Sequence, residues 1–209
     1  WGVDTIGWRN TFFLVGLPGI FVAMVILFTL REPPRGMSDG KLSAAQAPKA
    51  ASPEAPAVKE VLNFLWGKVS FRHLAFAAGL HAFVSYGAGT WNAPFFIRIH
   101  EMSSTDLGAA LALVAGIGAI GTFGGGYLSD KLSERTGDKR WYFWVPGIAT
   151  AVMVPFQLVA YLYDGTVAAI ASLCLVGILG SAYLGPSFAM THALVSLRMR
   201  AVASAILLF

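Results

Sequence analysis

Polar side chains recur at helical spacing inside an otherwise apolar stretch of the sequence. His81, Ser85 and Asn92 stand at i, i+4 and i+11, so on a helix they share one face, and Tyr86 and Trp91 lie beside it. Hydroxyl, amide and indole groups hydrogen-bond a ligand without carrying charge, and a histidine also takes up a proton near neutral pH. The pattern therefore predicts a helix face suited to a polar or amphipathic ligand.

A second polar face is predicted nearer the end of the sequence. Tyr183, Ser187 and Thr191 stand at i, i+4 and i+8, beside a bend expected at Pro186. For both faces a structural alternative stays open, in which hydroxyls bond backbone carbonyls and tyrosines reach a membrane interface. No Asp, Glu, Lys or Arg lies inside the apolar stretches, so His81 is the candidate for a proton-coupling residue.

The composition is that of a membrane protein. Of 209 residues, 56% are hydrophobic and 12% are charged, and the mean hydropathy is +0.64. A soluble domain carries roughly 25% charged residues. So little charge excludes a disordered chain and a nucleic-acid-binding domain, and a single cysteine, Cys174, excludes an internal disulfide framework.

Five charge-free stretches are long enough to cross a bilayer, which takes about 20 apolar residues per helix. They lack the period-2 alternation of barrel strands, so the predicted fold class is an all-α integral membrane protein. Small residues at intervals of four predict close helix packing, notably Gly121 with Gly125 and Gly177 with Ser181 and Gly185. We expect spans at about residues 10–30, 73–97, 107–129, 141–163 and 166–189, and a truncated one from 201 onward.

The basic residues predict the orientation of these spans. Thirteen of the 15 lie on one side, and only Arg9 and Arg98 lie on the other, so the positive-inside rule places the segment 31–72 in the cytoplasm. Residues 31–57 are rich in Ala, Pro and Ser and predict a flexible linker. Residues 58–72 predict an amphipathic helix, which either lies on the membrane interface or packs on the membrane domain by the same apolar face.

A short motif follows the third span, in the sequence GGGYLSDKLSER. The carboxylate of Asp130 is poorly placed for the dipole of its own helix, so we expect it to interact with another group. Gly126, Asp130 and Lys131 resemble the G-x-x-x-D-[RK] signature of the major facilitator superfamily, although Leu132-Ser133 departs from the fullest form of that pattern. The sequences KRWYFWVPGIATAVMVP, Gly185-Pro186 and RMRAVASAILL resemble the spinster-like branch of this superfamily.

The resemblance implies a major facilitator helical bundle in two halves. Residues 1–30 would be the last helix of the N-terminal bundle and 73–209 an incomplete C-terminal bundle, so the chain would run from about helix six to the start of helix eleven and lack its N-terminal half. The resemblance also implies a cytoplasmic gate. Its motif would comprise Gly126, Asp130, Lys131 and Arg135, and its candidate partners would be Arg198 and Arg200.

The resemblance further implies a secondary active transporter in a bacterial inner membrane. It would move a small organic or lipid-like amphipathic solute by alternating access, with proton coupling left open. Its partners would be the lipid bilayer and the solute, with no nucleic acid, metal or cofactor. The cavity candidates are His81, Ser85, Tyr86, Trp91, Asn92, Tyr183 and Ser187.

Three alternatives are weighed against this function. A receptor of similar architecture would bind solute without moving it, and another subfamily would carry organic anions. An enzyme is disfavoured, because the sequence shows neither a metal-ligand cluster nor a nucleophile with a neighbouring base.

Overall fold

The computed structural model describes residues 2–30 and 56–209, which form helices without any strand. The predicted all-α fold class is therefore confirmed for this part of the chain. Most of the linker predicted at 31–57 lies outside the described residues. The chain divides into two compact units, 1–54 and 55–209.

The first unit contains one long apolar helix, α1, at Gly2–Thr29. Its 28 residues correspond to about 42 Å, enough to cross a hydrocarbon core of about 30 Å. Gly7 interrupts the helical geometry with a φ of 78°. The side chains of α1 are apolar around the whole helix, which is typical of a helix surrounded by lipid or by other protein.

The second unit contains seven further helices. Their order and bounds are α2 at Val58–Trp66, α3 at Val69–Ile99, α4 at Ser104–Thr136, α5 at Trp141–Leu162, α6 at Thr166–Ser181, α7 at Leu184–Leu194 and α8 at Arg200–Leu208. By length and composition, α1, α4, α5 and the pair α6–α7 qualify as membrane spans. Helix α3 has 31 residues but is not among them, since its polar side chains lower its hydropathy.

Helix α4 continues about two turns beyond the predicted span 107–129. Ser103 caps its start by accepting a hydrogen bond from the Asp106 backbone N–H at 3.1 Å. It ends at Thr136 and is capped by Gly137, which adopts a left-handed conformation with φ 70°. The motif residues from Asp130 to Arg135 therefore lie on a helix. The predicted span ends where the first charged residue occurs, because charged residues are excluded from the membrane core. The helix itself continues beyond the core, because charged residues are compatible with a solvated helix.

The predicted span 166–189 is divided into two helices. Helix α6 ends at Ser181 and α7 begins at Leu184, so the break precedes Pro186 instead of lying at it. A proline lacks the N–H that would bond the carbonyl four residues earlier, and its ring clashes with that carbonyl. For Pro186 that carbonyl belongs to Ala182, which lies within the break.

Helix α2 is shorter than the predicted 58–72. It ends at Trp66, and α3 begins at Val69 after a turn at Gly67 and Lys68. Val61 and Leu65 are fully buried in a cluster with Phe71 of α3, Val195 directly after α7 and Ala203 of α8. The apolar face of α2 thus packs on the rest of the unit, which is the second of the two arrangements considered for it.

Helices α4 and α6 approach each other with almost nothing between their backbones. A Cβ on Gly121 would lie 2.6 Å from the carbonyl carbon of Ile178, and one on Gly125 would lie 2.7 Å from the Cα of Ala182. Real Cβ atoms essentially never come this close. The small residues predicted to form a packing seam are therefore required by this contact, and Gly121 and Gly125 are its two tightest points.

Candidate functional site

The basic end of the second unit is the region where α4 ends and α5 begins, between residues 130 and 144. Here the hydroxyl of Tyr142 donates a hydrogen bond to Oδ1 of Asp130, with an oxygen–oxygen distance of 2.6 Å. A short bond of this kind between a neutral hydroxyl and a carboxylate is charge-assisted. It fixes the side chain of Asp130 against the first turn of α5, so the acid of the motif does have a partner other than its own helix.

Two cationic side chains of the basic end, those of Lys131 and Arg140, are held by local contacts. Lys131 donates to the hydroxyl of Tyr127 at 3.1 Å, and Nζ lies 5.2 Å from the centre of that ring. Arg140 pairs with Asp138 at 2.8 Å and lies over the ring of Trp144. Arg135 is exposed in the last turn of α4.

Asp138 anchors the turn between α4 and α5. It accepts a hydrogen bond from the backbone N–H of Arg140 at 2.9 Å, and this bond, together with the guanidinium of Arg140, lowers the pKa of Asp138 below its usual 3.8. Because the folded-state pKa is lowered, this contribution to stability is present above the unfolded value and is lost as the pH falls through the folded-state value. At neutral pH the carboxylate of Asp138 is ionised, so its bonds to Arg140 stabilise the turn between α4 and α5.

Gly126 contributes differently from the glycines beside it. A Cβ on Gly126 would meet nothing within 4 Å, whereas a Cβ on Gly185 of α7 would lie 3.3 Å from the Cα of Gly126. The lack of a side chain at Gly126 is therefore not what brings α4 to α6. That approach depends on Gly121 and Gly125.

The two candidate partners of the gate lie at the start of α8. Arg198 is exposed in a short 3-10 turn at Leu197–Met199. Arg200 is half-buried, and its Nε has no hydrogen-bond partner among the residues described. Leaving a buried donor unpaired costs about 1–3 kcal/mol, so an acceptor from another part of the protein would be favourable here.

The two polar faces meet at His81 and Tyr183. The ring of His81 lies 4.2 Å from that of Tyr183, centre to centre, and its Nε2 lies 2.8 Å from the carbonyl oxygen of Gly180. A Cβ on Gly180 would lie 3.2 Å from the sulfur of Met153, so α5 also packs closely here. Helices α3, α5 and the break between α6 and α7 converge at this point.

The remaining candidates of α3 separate into two groups. Asn92 faces α5, where its Oδ1 accepts a hydrogen bond from the hydroxyl of Tyr161 at 2.7 Å. It borders a cavity of about 340 Å³, whose lining also includes Trp91 and Gln157. Ser85, Tyr86 and Trp91 are exposed, Tyr86 to 80% and Trp91 to 67%.

The candidates of α7 beyond Tyr183 are buried in the helix packing. Ser187 is 4% exposed and Thr191 is fully buried, and the Thr191 hydroxyl donates to the Ser187 carbonyl at 2.8 Å. This is the structural alternative considered for such hydroxyls. In residues 2–30 and 56–209, no three His, Cys, Asp or Glu side chains come together as a metal site.

Three partners in these contacts carry no signal in the sequence pattern. Tyr142 lies 12 residues after Asp130, and Tyr161 lies 69 residues after Asn92. The partner of His81 is a backbone carbonyl, which every residue possesses. Side-chain periodicity identifies a helix face, but it does not identify what that face contacts.

We expect Tyr142→Phe to weaken the gate function expected of Asp130, because the substitution removes the hydroxyl that binds this carboxylate and preserves the ring. A charge-assisted bond at an exposed position is worth about 1 kcal/mol, or roughly fivefold in a rate. The measurement is solute turnover by the complete protein, which is the activity that the family resemblance implies. Tyr163→Phe is the matched control, since Tyr163 is exposed in the turn before α6. Equal turnover by the two variants would contradict a role for the Tyr142 bond.

Comparisons with known proteins agree with this arrangement. The family model described as Major Facilitator Superfamily matches residues 1–209. An "MFS-type efflux pump" of Mycolicibacterium smegmatis is 28% identical over 211 residues, which cover 99% of this chain and 45% of the pump. The chain thus spans less than half the length of this relative.

Two solved structures are similar to the chain. Both are of a bacterial homologue of the human lysosomal transporter Spinster, in inward-facing conformations, one unoccupied and one occupied. The unoccupied structure matches with a TM-score of 0.71 and 35% identity, over 97% of this chain and 41% of that one. The occupied structure matches with a TM-score of 0.63 and 34% identity, over 97% and 39% respectively. These likenesses agree with the spinster-like motifs, and the descriptions are of transport proteins and not of enzymes.

Proposed function

This chain belongs to the major facilitator superfamily, and we propose that it is part of a secondary active transporter that moves a small organic or lipid-like amphipathic solute by alternating access. The observation that carries the proposal is the match of the family model to all 209 residues. The descriptions of the similar proteins, an efflux pump and homologues of a lysosomal transporter, support transport as the activity. The helices α1, α4, α5 and α6–α7 are long and apolar enough to cross a membrane, which also supports a membrane transporter.

We place the transporter in a bacterial inner membrane, with the basic end in the cytoplasm. The similar proteins are bacterial, and the basic residues of the sequence are strongly biased to one side of its spans. In this orientation α3 runs from the cytoplasmic side to the outer side. The complete protein, including regions beyond this chain, would carry the activity.

The solute class is inferred from the exposed side chains of α3. Tyr86 and Trp91 present large aromatic surfaces, and Ser85 offers a hydroxyl. Such a face contacts an apolar body and hydrogen-bonds uncharged polar groups, which fits an amphipathic solute better than a small inorganic ion. Whether transport is coupled to protons is tested by the pH dependence of the transport rate.

Asp130 is proposed to act in a cytoplasmic gate. One of its oxygens is bound by Tyr142 within α5, and the other oxygen can accept a donor from the opposite half of the protein. The buried Nε of Arg200 donates to no acceptor among the described residues, so it could bind an acceptor from the opposite half of the protein. Bonds that form in one conformation and break in the other bias the equilibrium between the two.

Flux measured together with binding tests the proposal. The complete protein would be reconstituted in proteoliposomes and supplied with radiolabelled lysolipids and organic anions. We expect saturable flux of at least one solute, absent from protein-free vesicles. Saturable binding without flux would contradict transport and favour a receptor. Flux of organic anions alone would contradict the lipid-like solute and favour another subfamily.

A further inference from the structure

The break between α6 and α7 interrupts a run of backbone hydrogen bonds. The Ala182 N–H reaches back only three residues, to the Leu179 carbonyl at 3.3 Å, and the four-residue pattern resumes where the Ser187 N–H meets the Tyr183 carbonyl at 3.0 Å. The carbonyl of Gly180 lies between these two bonds. Its hydrogen-bond partner across the helix interface is the ring of His81 on α3, at 2.8 Å.

The chemistry of this contact fixes which nitrogen of His81 carries the proton. A carbonyl oxygen only accepts hydrogen bonds, so Nε2 must be the N–H that donates to it. In the neutral ring, Nδ1 is then the unprotonated nitrogen. The donor at Nε2 is present in both the neutral and the protonated ring, so the contact does not depend on the charge of His81.

The surroundings hold the ring in this position. Tyr183, the second residue of the break, lies 4.2 Å from the His81 ring between centres. A Cβ at residue 180 would lie 3.2 Å from the sulfur of Met153 and 3.9 Å from Nε2 of His81, so a side chain there would crowd both neighbours. His81 thus contacts both the last turn of α6 and the residue that precedes α7.

We propose that His81 is a positioning residue, which fixes the geometry of the α6–α7 break by donating its Nε2–H to the Gly180 carbonyl. The bond ties α3 to the point at which the α6–α7 span bends, so movement of α3 is transmitted to α7. Residue 81 must carry a hydrogen-bond donor, neutral or charged, at the position that Nε2 occupies. A titratable group is not required.

Two amide substitutions separate this role from proton transfer. His81→Gln places an uncharged N–H donor near the position of Nε2, and His81→Asn carries the same amide on a side chain one methylene shorter, which does not reach the carbonyl. Neither amide titrates. The control is His73→Asn, because the exposed His73 of α3 bonds the Val69 carbonyl of its own helix and not a neighbouring helix among the described residues.

The first measurement is hydrogen–deuterium exchange of peptides covering residues 179–188 in the complete protein. We expect exchange about tenfold faster in His81→Asn, corresponding to about 1.4 kcal/mol, and exchange within about twofold of the unsubstituted protein in His81→Gln and His73→Asn. Unchanged exchange in His81→Asn would overturn the proposal. Equal acceleration in both His81 variants would also overturn it.

The second measurement is transport, which rests on the proposed function, whereas the exchange measurement does not. We expect His81→Asn to lower the turnover number about tenfold with little change in KM, and His81→Gln to retain both the rate and its pH profile. A pH profile flattened in His81→Gln would overturn the assignment in favour of a proton carrier. If the complete protein moves no solute, the exchange result alone decides the role of His81.

Discussion

Gly121→Ala is expected to destabilise the folded protein severely, although it adds a single methyl group. The new Cβ would lie 2.6 Å from the carbonyl carbon of Ile178, which is a backbone atom, and the Cβ is itself fixed to the Cα of α4, so neither atom can rotate away. Separating α4 from α6 would open the tightest contact in the second unit. We expect a loss of about 3 kcal/mol, at the upper end of overpacking costs, and a melting temperature lower by about 6–12 °C. Thermal denaturation followed by size-exclusion chromatography in detergent measures this directly.

Gly124→Ala provides the matched control, since Gly124 lies on the same helix, three residues after Gly121 and next to Gly125. A Cβ on Gly124 meets nothing within 4 Å, and alanine is favoured over glycine in a helix by up to about 1 kcal/mol. We therefore expect Gly124→Ala to be neutral or stabilising and Gly125→Ala to behave like Gly121→Ala. A uniform response of the three glycines would contradict the close approach of α4 and α6.

Asp130→Asn is expected to lower the turnover number by about tenfold or more while solute affinity stays within about twofold. The asparagine oxygen still accepts the Tyr142 hydroxyl, so the substitution removes the charge and preserves the local contact. Hydrogen bonds to a charged acceptor are roughly twice as strong as neutral ones, and a change of 1.36 kcal/mol in a barrier alters a rate tenfold. Turnover and equilibrium binding would be measured on the same preparation of the complete protein.

Asp164→Asn is the control for this measurement. Asp164 is exposed in the turn between α5 and α6, at the opposite end of the helices from Asp130. The Asp164→Asn substitution removes the same charge at a distance from the proposed gate. We therefore expect the turnover number of this variant to match that of the unsubstituted protein. Undiminished flux in Asp130→Asn would show that this acid is not part of a gate.

The helices were predictable because the exclusion of charge from a membrane is a strong constraint. The span predicted at 141–163 corresponds to α5 at Trp141–Leu162. Helix ends were less predictable, because a helix can continue in water on charged residues, as α4 does to Thr136. The bend was predicted at Pro186, but the break lies at residues 182–183, because the ring of Pro186 affects the carbonyl four residues earlier.

The candidate site was predictable only in part. The spacing of His81, Ser85 and Asn92 defined a face of α3, but Asn92 pairs with Tyr161, a residue of α5. His81 was singled out as an ionisable residue, and its contact is with a main-chain oxygen 99 residues away. Contacts of this kind depend on how the helices pack, and periodicity within one helix contains no information about them.

Solute counterflow is the most direct test of alternating access. Proteoliposomes containing the complete protein would be loaded with unlabelled solute and diluted into a trace of labelled solute. A carrier whose site faces one side at a time exchanges the two, so we predict a transient accumulation of label inside the vesicles above its equilibrium level. Entry of label that only rises to equilibrium, with the same time course in unloaded vesicles, would contradict the account.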